Sequence, residues 1–300
     1  MREITYAYLE TTTYCNLDCS FCNRRDVVKT PQHMSLERWQ IVLDKLKDHP
    51  IKEAKLMGLG EPFLHPDFDE ICKRFKQTFP ECFVIVATNC QYKLNKRFVE
   101  ALKYIDLLYL SVDGYKDNYE KNRYPAKWGK LIQFLDRLNE IGDINTRLTI
   151  NYVVTDENYL DIEKVNRMVG ERYPYVEEVR LNIAQWWGEG EQIDFEFNDD
   201  FFDTLKRYKR NVKGKSPWDY SDCFWPKSGF YMNADGSVRV CCLNTNSTPL
   251  GNIFTDDFSS ILNSVRLLEI EGQCANNTPG IHCKSCDYKS LEPVLAKIRK

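Results

Sequence analysis

The sequence lacks the features that mark membrane and nucleic-acid-binding proteins. No stretch reaches 18 consecutive apolar residues, and the start, MREITYAYLE, has no apolar signal-peptide core. Lysine and arginine number 41 against 44 aspartates and glutamates, a net charge of −3 with no long block of one sign. Electrostatics therefore indicates neither a nucleic acid nor an anionic membrane as partner, and we expect a cytoplasmic protein.

Cysteine, by contrast, is abundant, with 12 residues. The cytoplasm keeps thiols reduced, so clustered cysteines indicate a metal site rather than disulfides. Cys15, Cys19 and Cys22 are spaced C-x3-C-x2-C. Three cysteines without a nearby histidine do not complete the tetrahedral shell of a structural zinc, whereas they can bind three irons of a four-iron cluster and leave the fourth iron open. Free loop thiols, or a zinc site completed from elsewhere in the chain, are the alternatives.

Strand-like and helix-like segments alternate over roughly the first 200 residues. Six alternations predict a parallel α/β sheet, either open or an incomplete barrel. After about residue 210 the composition changes to turn formers and aromatics, and YMNADGSVRVC at 231–241 predicts two short strands around an Asn-Ala-Asp-Gly turn. We therefore predict domains at 1–210 and 211–300. The predicted strands are 4–12, 53–59, 82–89, 106–113, 147–155 and 177–184; the predicted helices are 35–48, 67–78, 95–104, 127–141 and 157–172, with caps at Ser35 and Asp156.

The cysteine loop follows the first predicted strand and carries Phe21 before its last cysteine. This pattern resembles the radical S-adenosylmethionine (SAM) enzymes. The resemblance implies a partial (β/α)6 TIM-like barrel in which the open iron binds the amino and carboxylate groups of SAM. It also implies that an electron from the cluster splits the sulfonium to give a 5'-deoxyadenosyl radical, while the protein supplies position and excludes water.

Further strand ends match motifs of the same family. MGLGEP at 57–62 resembles its Gly-Gly-Glu-Pro element, with Leu59 in place of the first glycine. ATNC at 87–90 resembles a Thr-Asn-Gly strand end in which Cys90 replaces the glycine, and LSVDG at 110–114 resembles a Ser-x-Asp-Gly end. Polar residues also simply close strands, which is the alternative. The SAM-binding residues that the resemblance implies are Phe21, Gly58, Gly60, Glu61, Asn89, Ser111 and Asp113.

The C-terminal cysteines form a second pattern. Cys223, Gly236 and Cys241 are spaced C-x12-G-x4-C, and Cys283 and Cys286 form a later C-x2-C. This resembles the SPASM/twitch extension of radical SAM enzymes, and residues 287–300 lack the further cysteines of a complete SPASM domain. The resemblance implies one auxiliary 4Fe-4S cluster with four cysteine ligands and no open iron. A four-cysteine zinc site is the alternative.

The other cysteines receive weaker assignments. Cys242 adjoins Cys241, so the two side chains diverge in extended backbone and are not expected to bind one cluster. It can fill the core, exchange roles with Cys241 or donate a hydrogen atom. Cys72, Cys82 and Cys90 are predicted core residues, and Cys274 remains a spare without a role.

The substrate pocket is expected between the cysteine loop and the C-terminal domain. The paired tryptophans of QWWGEGEQ suit either a mobile lid or a wedge between domains. The candidate lining residues follow strands five and six: Asn151, Tyr152, Arg180, Asn182, Gln185, Trp186 and Trp187.

Several reactions fit these motifs. The chain starts 14 residues before Cys15, which leaves no room for a peptide-recognition domain, so we expect a small-molecule or sugar-like substrate. The first hypothesis is dehydrogenation of an alcohol, with Arg180 aiding deprotonation and the auxiliary cluster accepting an electron. Alternatives are an epimerase with Cys242 as hydrogen donor, a peptide-modifying enzyme and a non-enzymatic zinc-binding module. A flavodoxin- or ferredoxin-type protein is the expected electron donor.

Overall fold

The computed structural model describes residues 2–142, 144–184, 197–216, 219–243, 247–280, 283, 286 and 291–300. Across these residues one mixed sheet runs in the order β6-β5-β4-β3-β2-β1-β7-β8-β9. Its strands are β1 Tyr6–Leu9, β2 Glu53–Lys55, β3 Phe83–Thr88, β4 Leu107–Ser111, β5 Arg147–Val154, β6 Val176–Ile183, β7 Gly229–Met232, β8 Ser237–Arg239 and β9 Gly251–Asn252.

Strands β1 to β6 pair with their sequence neighbours in parallel, which confirms the predicted α/β fold. Helices supply the crossovers, as parallel pairing requires. The helices are α1 Arg24–Val27, α2 Leu36–Leu46, α3 Phe68–Thr78, α4 Lys96–Leu102, α5 Asp117–Asn122, α6 Trp128–Ile141, α7 Ile162–Arg172, α8 Asp199–Arg207, α9 Trp225–Ser228, α10 Phe258–Leu262, α11 Val265–Ala275 and α12 Glu292–Arg299. No helix in these ranges combines the length and apolar character needed to cross a membrane.

The helices cover one face of the sheet. Helix α2 shows why: its buried residues recur at helical spacing and form a single apolar stripe against the strands. Ser35 caps this helix by accepting a hydrogen bond from the Arg38 N–H, as predicted. The predicted cap at Asp156 is wrong, because a 3-10 turn at Tyr159–Asp161 intervenes and α7 begins only at Ile162.

The opposite face of the sheet, which we call the inner face, carries polar and aromatic side chains. In β2, Ala54 packs into the main core while Lys55 lies on the inner face. In β6, Leu181 packs into the core while Arg180 lies on the inner face. The charge of Arg180 nevertheless acts on Lys55 across three intervening strands. A flat sheet would separate strands four spacings apart by roughly 19 Å. The sheet must therefore curl, as a partial barrel does.

Segments that follow residue 210 lie along both edges of this six-stranded parallel sheet. Strand β7 pairs in parallel with β1 and turns into antiparallel β8 through Asn-Ala-Asp-Gly, the predicted hairpin. At the far edge, the Leu181 N–H donates to Asn211 O and the Lys213 N–H donates to Leu181 O, both at 2.9 Å. The strands on either side of the predicted boundary at residue 210 thus share one sheet, and that boundary stays a prediction.

Candidate active site and cofactor centre

The three-cysteine loop leaves β1 and is held by the segment after α5. The Asp18 N–H donates to Tyr124 O at 2.6 Å, and the Ser20 N–H donates to Asn122 O at 2.9 Å. Within the loop the Cys22 N–H donates to Cys19 O at 3.0 Å, which folds the last two cysteines into a turn. The loop shape is therefore set by backbone contacts that do not involve the thiols.

The surroundings of these thiols suit a metal cluster. Burial raises the pKa of Cys19 to about 12, and burial also raises the pKa values of Cys15 and Cys22. A bare thiolate is thus unfavourable here, whereas coordination to a cation deprotonates a thiol outright. Backbone N–H groups of Leu17 and Arg24 already point at the sulfurs of Cys15 and Cys22. The donor set fits three iron positions with stabilised thiolates.

Arg123 reaches the same loop and was not found from the sequence. Its Nη1 lies 3.9 Å from Cys19 Sγ, and its guanidinium lies 5.8 Å from the ring centroid of Phe21. Its Nε donates to Asp113 Oδ2 in a buried ion pair. Phe21 therefore packs beside Arg123, and its predicted contact with SAM stays a prediction. The available signal was an arginine in the connection between β4 and α6, directly after helix α5.

Asp113 is engaged by the protein itself. Its side chain is fully buried; Oδ2 accepts from Arg123 and Oδ1 accepts from the Val153 N–H at 2.6 Å. Both carboxylate oxygens thus already accept a hydrogen bond from the protein, and the predicted contact between Asp113 and SAM stays a prediction. Its neighbour two residues earlier, Ser111, ends β4, and its hydroxyl has no hydrogen bond with another described residue. The SAM contact predicted for Ser111 stays open.

The two glycines of MGLGEP are required by close packing. A Cβ on Gly60 would lie 2.3 Å from Thr12 O, and one on Gly58 would lie 2.3 Å from Glu10 Oε1. Gly60 thus lets the backbone approach the cysteine loop, to which the next residue is also bonded through Glu61 N–H and Tyr14 O at 2.8 Å. This loop-to-loop packing accounts for both glycines, and their contacts with SAM stay predictions.

Glu61 and Asn89 form a hydrogen-bonded pair below the cysteine loop. Glu61 Oε2 accepts from the Asn89 N–H at 2.6 Å, and burial raises the pKa of Glu61 to about 7. Asn89 Nδ2 lies 2.7 Å from Asn16 Oδ1 and 3.8 Å from Cys15 Sγ. The sequence prediction placed both residues at the cofactor, and the structure brings both to the base of the loop that would bind it.

The inner face below this loop gathers two cations and a thiol. Arg180 Nη1 donates to Tyr109 Oη at 2.9 Å. Lys55 Nζ lies 5.7 and 5.6 Å from the ring centroids of Tyr6 and Tyr8, and it has no hydrogen bond or ion pair with another described residue. Burial lowers the pKa of Lys55, and the neighbouring Cys242 opposes that shift. Lys55 was not among the residues predicted from the sequence.

Other pocket candidates divide between the two faces. Asn182 Nδ2 donates to Asn151 Oδ1 at 2.7 Å on the inner face. The prediction for Tyr152 is wrong, because it alternates to the helix face, where it is fully buried and its hydroxyl donates to Asn158 O at 2.6 Å. Gln185, Trp186 and Trp187 lie outside the described residues.

The C-terminal cysteines meet beside the inner face. Cys223, Cys241 and Cys242 share an apolar cluster with Tyr8 and with Met57, which directly precedes Gly58. Cys241 and Cys283 line one cavity together with Val240, Ser247, Thr248, Arg266 and Ile270. Cys286 is half-buried three residues after Cys283.

Cys274 joins this group, although the sequence gave it no role. It accepts S–H hydrogen bonds from Cys223 and Cys283, which lower the pKa of Cys274 and raise theirs. The spacing motif could not reveal it, because it lies in α11 and reaches the others only through tertiary packing.

A single-ion site is not formed by these groups. In the described part of the chain, no three His, Cys, Asp or Glu side chains converge closely enough to hold one metal ion. Cysteines of an iron–sulfur cluster bind different irons and need not converge on one point.

Comparison with known families agrees with this chemistry. A family profile described as "Radical SAM superfamily" matches residues 9–169, and one described as "SPASM, iron-sulfur cluster-binding domain" matches residues 223–287.

Individual proteins resemble the chain at low identity. The sporulation killing factor maturation protein SkfB of Bacillus subtilis is 24% identical over 285 residues, covering 89% of this chain and 67% of SkfB. The antilisterial bacteriocin subtilosin biosynthesis protein AlbA of the same organism is 25% identical over 281 residues, covering 86% of this chain and 59% of AlbA. Among solved structures, Streptococcus suis SuiB bound to S-adenosylmethionine superposes with a TM-score of 0.72 at 17% identity, covering 96% of this chain and 72% of that one.

Proposed function

The chain belongs to the radical SAM superfamily and carries a SPASM-type iron–sulfur domain, and from this membership we propose that it is an oxidoreductase acting on a substrate bound at the inner face. Its cofactors are S-adenosylmethionine and 4Fe-4S clusters. When bound, they supply an electron and a 5'-deoxyadenosyl radical that abstracts a hydrogen atom. The protein's own contribution is to position the cofactor, exclude water and orient the substrate.

We assign the following roles to this chain's residues. Cys15, Cys19 and Cys22 would bind three irons, and the Leu17 and Arg24 N–H groups would stabilise their thiolates. Glu61, buried and able to accept hydrogen bonds, would hold the methionyl ammonium of SAM. Asn89 and Ser111, whose hydroxyl makes no hydrogen bond with another described residue, are the further candidates at adjoining strand ends. Asp113 and Arg123 would position the loop rather than touch SAM.

The observation that carries the proposal is the apolar cluster between the two cysteine groups. It joins Met57, immediately before the Gly58–Glu61 motif, to Cys223 and Cys241 through Tyr8. A substrate on the inner face would thus lie between the SAM site and the auxiliary cysteines. Loss of a hydrogen atom, a proton and an electron to an auxiliary cluster would leave an oxidised product.

We propose a peptide as the substrate class, in preference to the sugar-like alcohol expected from the sequence. SkfB and AlbA are named for maturation of a killing factor and for biosynthesis of a bacteriocin. These names support a peptide substrate for this chain. A flavodoxin- or ferredoxin-type protein would deliver the electron, and cytoplasmic action suits a protein whose 12 cysteines are all free thiols.

A first experiment measures iron, zinc and product. Reconstituted protein should hold roughly eight irons, and the Cys15, Cys19, Cys22 triple alanine variant roughly four. Formation of 5'-deoxyadenosine should rise with a peptide fraction of cell extract, and protease treatment of that fraction should abolish the rise. The product should be two mass units lighter. Stimulation by a protease-resistant small-molecule fraction would restore the sugar-like substrate, and stoichiometric zinc in place of the second cluster would remove the oxidation mechanism.

One observation favours an epimerase as the second candidate. Cys242 is buried beside Lys55 on the inner face, and burial raises its pKa to about 11, so it remains a thiol that can donate a hydrogen atom. An epimerase product would keep the mass of the substrate and gain one deuterium in D2O. Cys242→Ala would abolish this exchange while leaving cleavage of SAM intact. A product lighter by two mass units would exclude this candidate.

A further inference from the structure

Arg123 places a buried positive charge beside the cysteine loop. Its side chain is 8% exposed, and its backbone N–H donates to Tyr119 O at 3.0 Å at the end of helix α5. A guanidinium that has left water must find its partners within the protein. The partners of Arg123 therefore indicate what its charge serves.

One edge of the guanidinium is fixed by Asp113. Arg123 Nε donates to Asp113 Oδ2, and Asp113 is itself held because its Oδ1 accepts from the Val153 N–H at 2.6 Å. A guanidinium is a rigid planar fork, so an anchored Nε also sets the direction of Nη1. Arg123 Nη1 lies 3.9 Å from Cys19 Sγ. The ion pair therefore presents its positive end to the thiol.

The backbone also places Cys19 opposite Arg123. Both residues that flank Cys19 donate an N–H hydrogen bond to a residue that flanks Arg123: Asp18 to Tyr124 O at 2.6 Å, and Ser20 to Asn122 O at 2.9 Å. The approach of the guanidinium to the thiol thus does not depend on side-chain rotamers alone. It follows from the way in which the loop is anchored.

The surroundings of this contact strengthen the effect of the charge. The ring centroid of Phe21 lies 5.8 Å from the guanidinium, and Asp113 is fully buried. A charge acts more strongly on its neighbours in a water-poor environment than at the surface. If Cys19 binds an iron, its sulfur belongs to a cluster that gains one negative charge on reduction. Nearby cations and N–H donors stabilise that reduced state and raise the reduction potential.

We propose that Arg123 is a positioning residue of the SAM-binding cluster and raises the potential at which this cluster accepts its electron. This rests on the open-iron cluster of the proposed function and adds a residue that the cysteine spacing does not contain. The step concerned is the transfer of one electron, in which the donor protein is oxidised and the cluster is reduced. Arg123 exchanges no proton in this step, because its guanidinium stays charged.

The test is a potentiometric titration of the reconstituted full chain. Electron paramagnetic resonance follows the signal that added SAM perturbs, since a four-cysteine cluster has no open iron. The double variant Arg123→Met, Asp113→Asn removes the cation without leaving a buried carboxylate. At a fixed potential its ratio of reduced to oxidised cluster should fall about tenfold, which corresponds to about 59 mV for a one-electron couple. Arg123→Lys keeps the charge and should stay closer to the parent.

Two further variants separate this contact from general effects. Asp113→Asn keeps Arg123 but removes the carboxylate that offsets its charge, so the ratio of reduced to oxidised cluster should rise above that of the parent. Arg25→Met removes a cation three residues after Cys22 whose side chain is 70% exposed. Because water screens an exposed charge, this ratio should change by less than about twofold in Arg25→Met.

The outcomes are distinct. A parent-like ratio in the double variant, with iron and the effect of SAM retained, would make Arg123 a packing residue and overturn the proposal. An equal fall in Arg25→Met would overturn it too. So would a ratio in Asp113→Asn that does not rise, even if the double variant binds no iron.

Iron retained in the double variant without any effect of SAM on the signal would place Arg123 at SAM, which also contradicts the proposal. A parent protein in which SAM perturbs no signal would lack the open-iron cluster. That result is a separate failure, because it concerns the proposed function rather than Arg123.

Discussion

Cys90 has a backbone conformation that suits glycine, although its side chain is buried like that of a core residue. Its φ is +60°, the left-handed region that costs a non-glycine residue roughly 1–2 kcal/mol. Its side chain is nevertheless fully buried, with Sγ 3.7 Å from Thr88 O. The Thr-Asn-Gly strand end that this segment resembles has glycine at this position. The left-handed turn is therefore kept here although glycine, which adopts it without strain, is absent.

We expect Cys90→Gly to be roughly 1–2 kcal/mol less destabilising than Cys82→Gly, because only the first relieves left-handed strain. Cys82 is a matched control: it is also buried, and its Sγ lies 3.8 Å from a carbonyl oxygen, that of Phe83, without a positive φ. Denaturant unfolding of the two metal-free variants measures the difference. Equal losses would show that Cys90 carries no conformational strain.

The ion pair of Asp113 and Arg123 supports the cysteine loop from beneath. Arg123→Met should destabilise the metal-free protein by about 3–5 kcal/mol, because it leaves a buried carboxylate without its cation. Adding Asp113→Asn should recover most of this loss, since the amide oxygen can still accept from Val153 N–H and no charge stays buried. Unfolding midpoints of the parent, single and double variants report the effect. A double variant as unstable as the single one would contradict the charge explanation.

At the scale of elements, Glu10 joins three parts of the chain. It follows β1, its Oε1 accepts from the Leu59 N–H at 2.6 Å, and its Oε2 accepts from the Ala234 N–H at 3.1 Å. It therefore ties the glycine motif to the β7–β8 turn. Burial raises the pKa of Glu10 to about 7 from an ordinary value of 4.5.

This raised pKa predicts a pH dependence of stability. Between pH 4.5 and about 7 the carboxyl of Glu10 holds a proton in the folded protein that it has lost in the unfolded protein. The stabilisation that this proton gives to the fold is therefore complete below pH 4.5 and is lost as the pH rises through about 7. The upper limit of the loss is about 3 kcal/mol. Glu10→Gln cannot ionise, so its stability relative to the parent should improve between pH 5 and pH 8. A constant difference across this range would contradict the raised pKa.

Among the strands and helices, some features could be predicted from the sequence and others could not. Apolar, β-branched runs separated by helix-like segments located all six strands of the parallel sheet, and a turn sequence located the hairpin, because buried strands and tight turns each leave a local signal. Glu61 and Asn89 were predicted from the motifs that they resemble, and the structure brings both to the base of the cysteine loop. Arg123 and Cys274 were missed, since their partners Cys19 and Cys223 are distant in sequence and only packing brings them together. Tyr152 was misplaced because a single residue of register decides its face.

At the scale of the whole molecule, the inner face carries charges of both signs, since Glu53 acts on Lys55 and Glu178 acts on Tyr109, the partner of Arg180. Lys55 and Arg180 lie there without a carboxylate bonded to either among the described residues. Lys55, which makes no hydrogen bond with another described residue, is placed to bind an acceptor on the ligand, such as a carboxylate or a carbonyl oxygen of the proposed substrate.

Lys55→Met should lower substrate-stimulated formation of 5'-deoxyadenosine at least about tenfold, the size of one lost charge-assisted hydrogen bond. It should leave the slow cleavage of SAM without substrate unchanged, because Lys55 precedes the SAM motif. Lys103→Met, at an exposed surface position, is the control. An equal loss of SAM cleavage with and without substrate would instead place Lys55 at the cofactor.

The pairing of chain segments along both sides of the parallel sheet has a consequence for self-association. Strand β7 covers the free side of β1, and residues 211–213 cover that of β6. Exposed strand edges offer unpaired backbone groups on which other molecules can template. A chain cut at residue 210 would keep every barrel strand and yet uncover both edges. We therefore expect such a truncated chain to aggregate more readily than the whole chain, whether or not iron has been loaded.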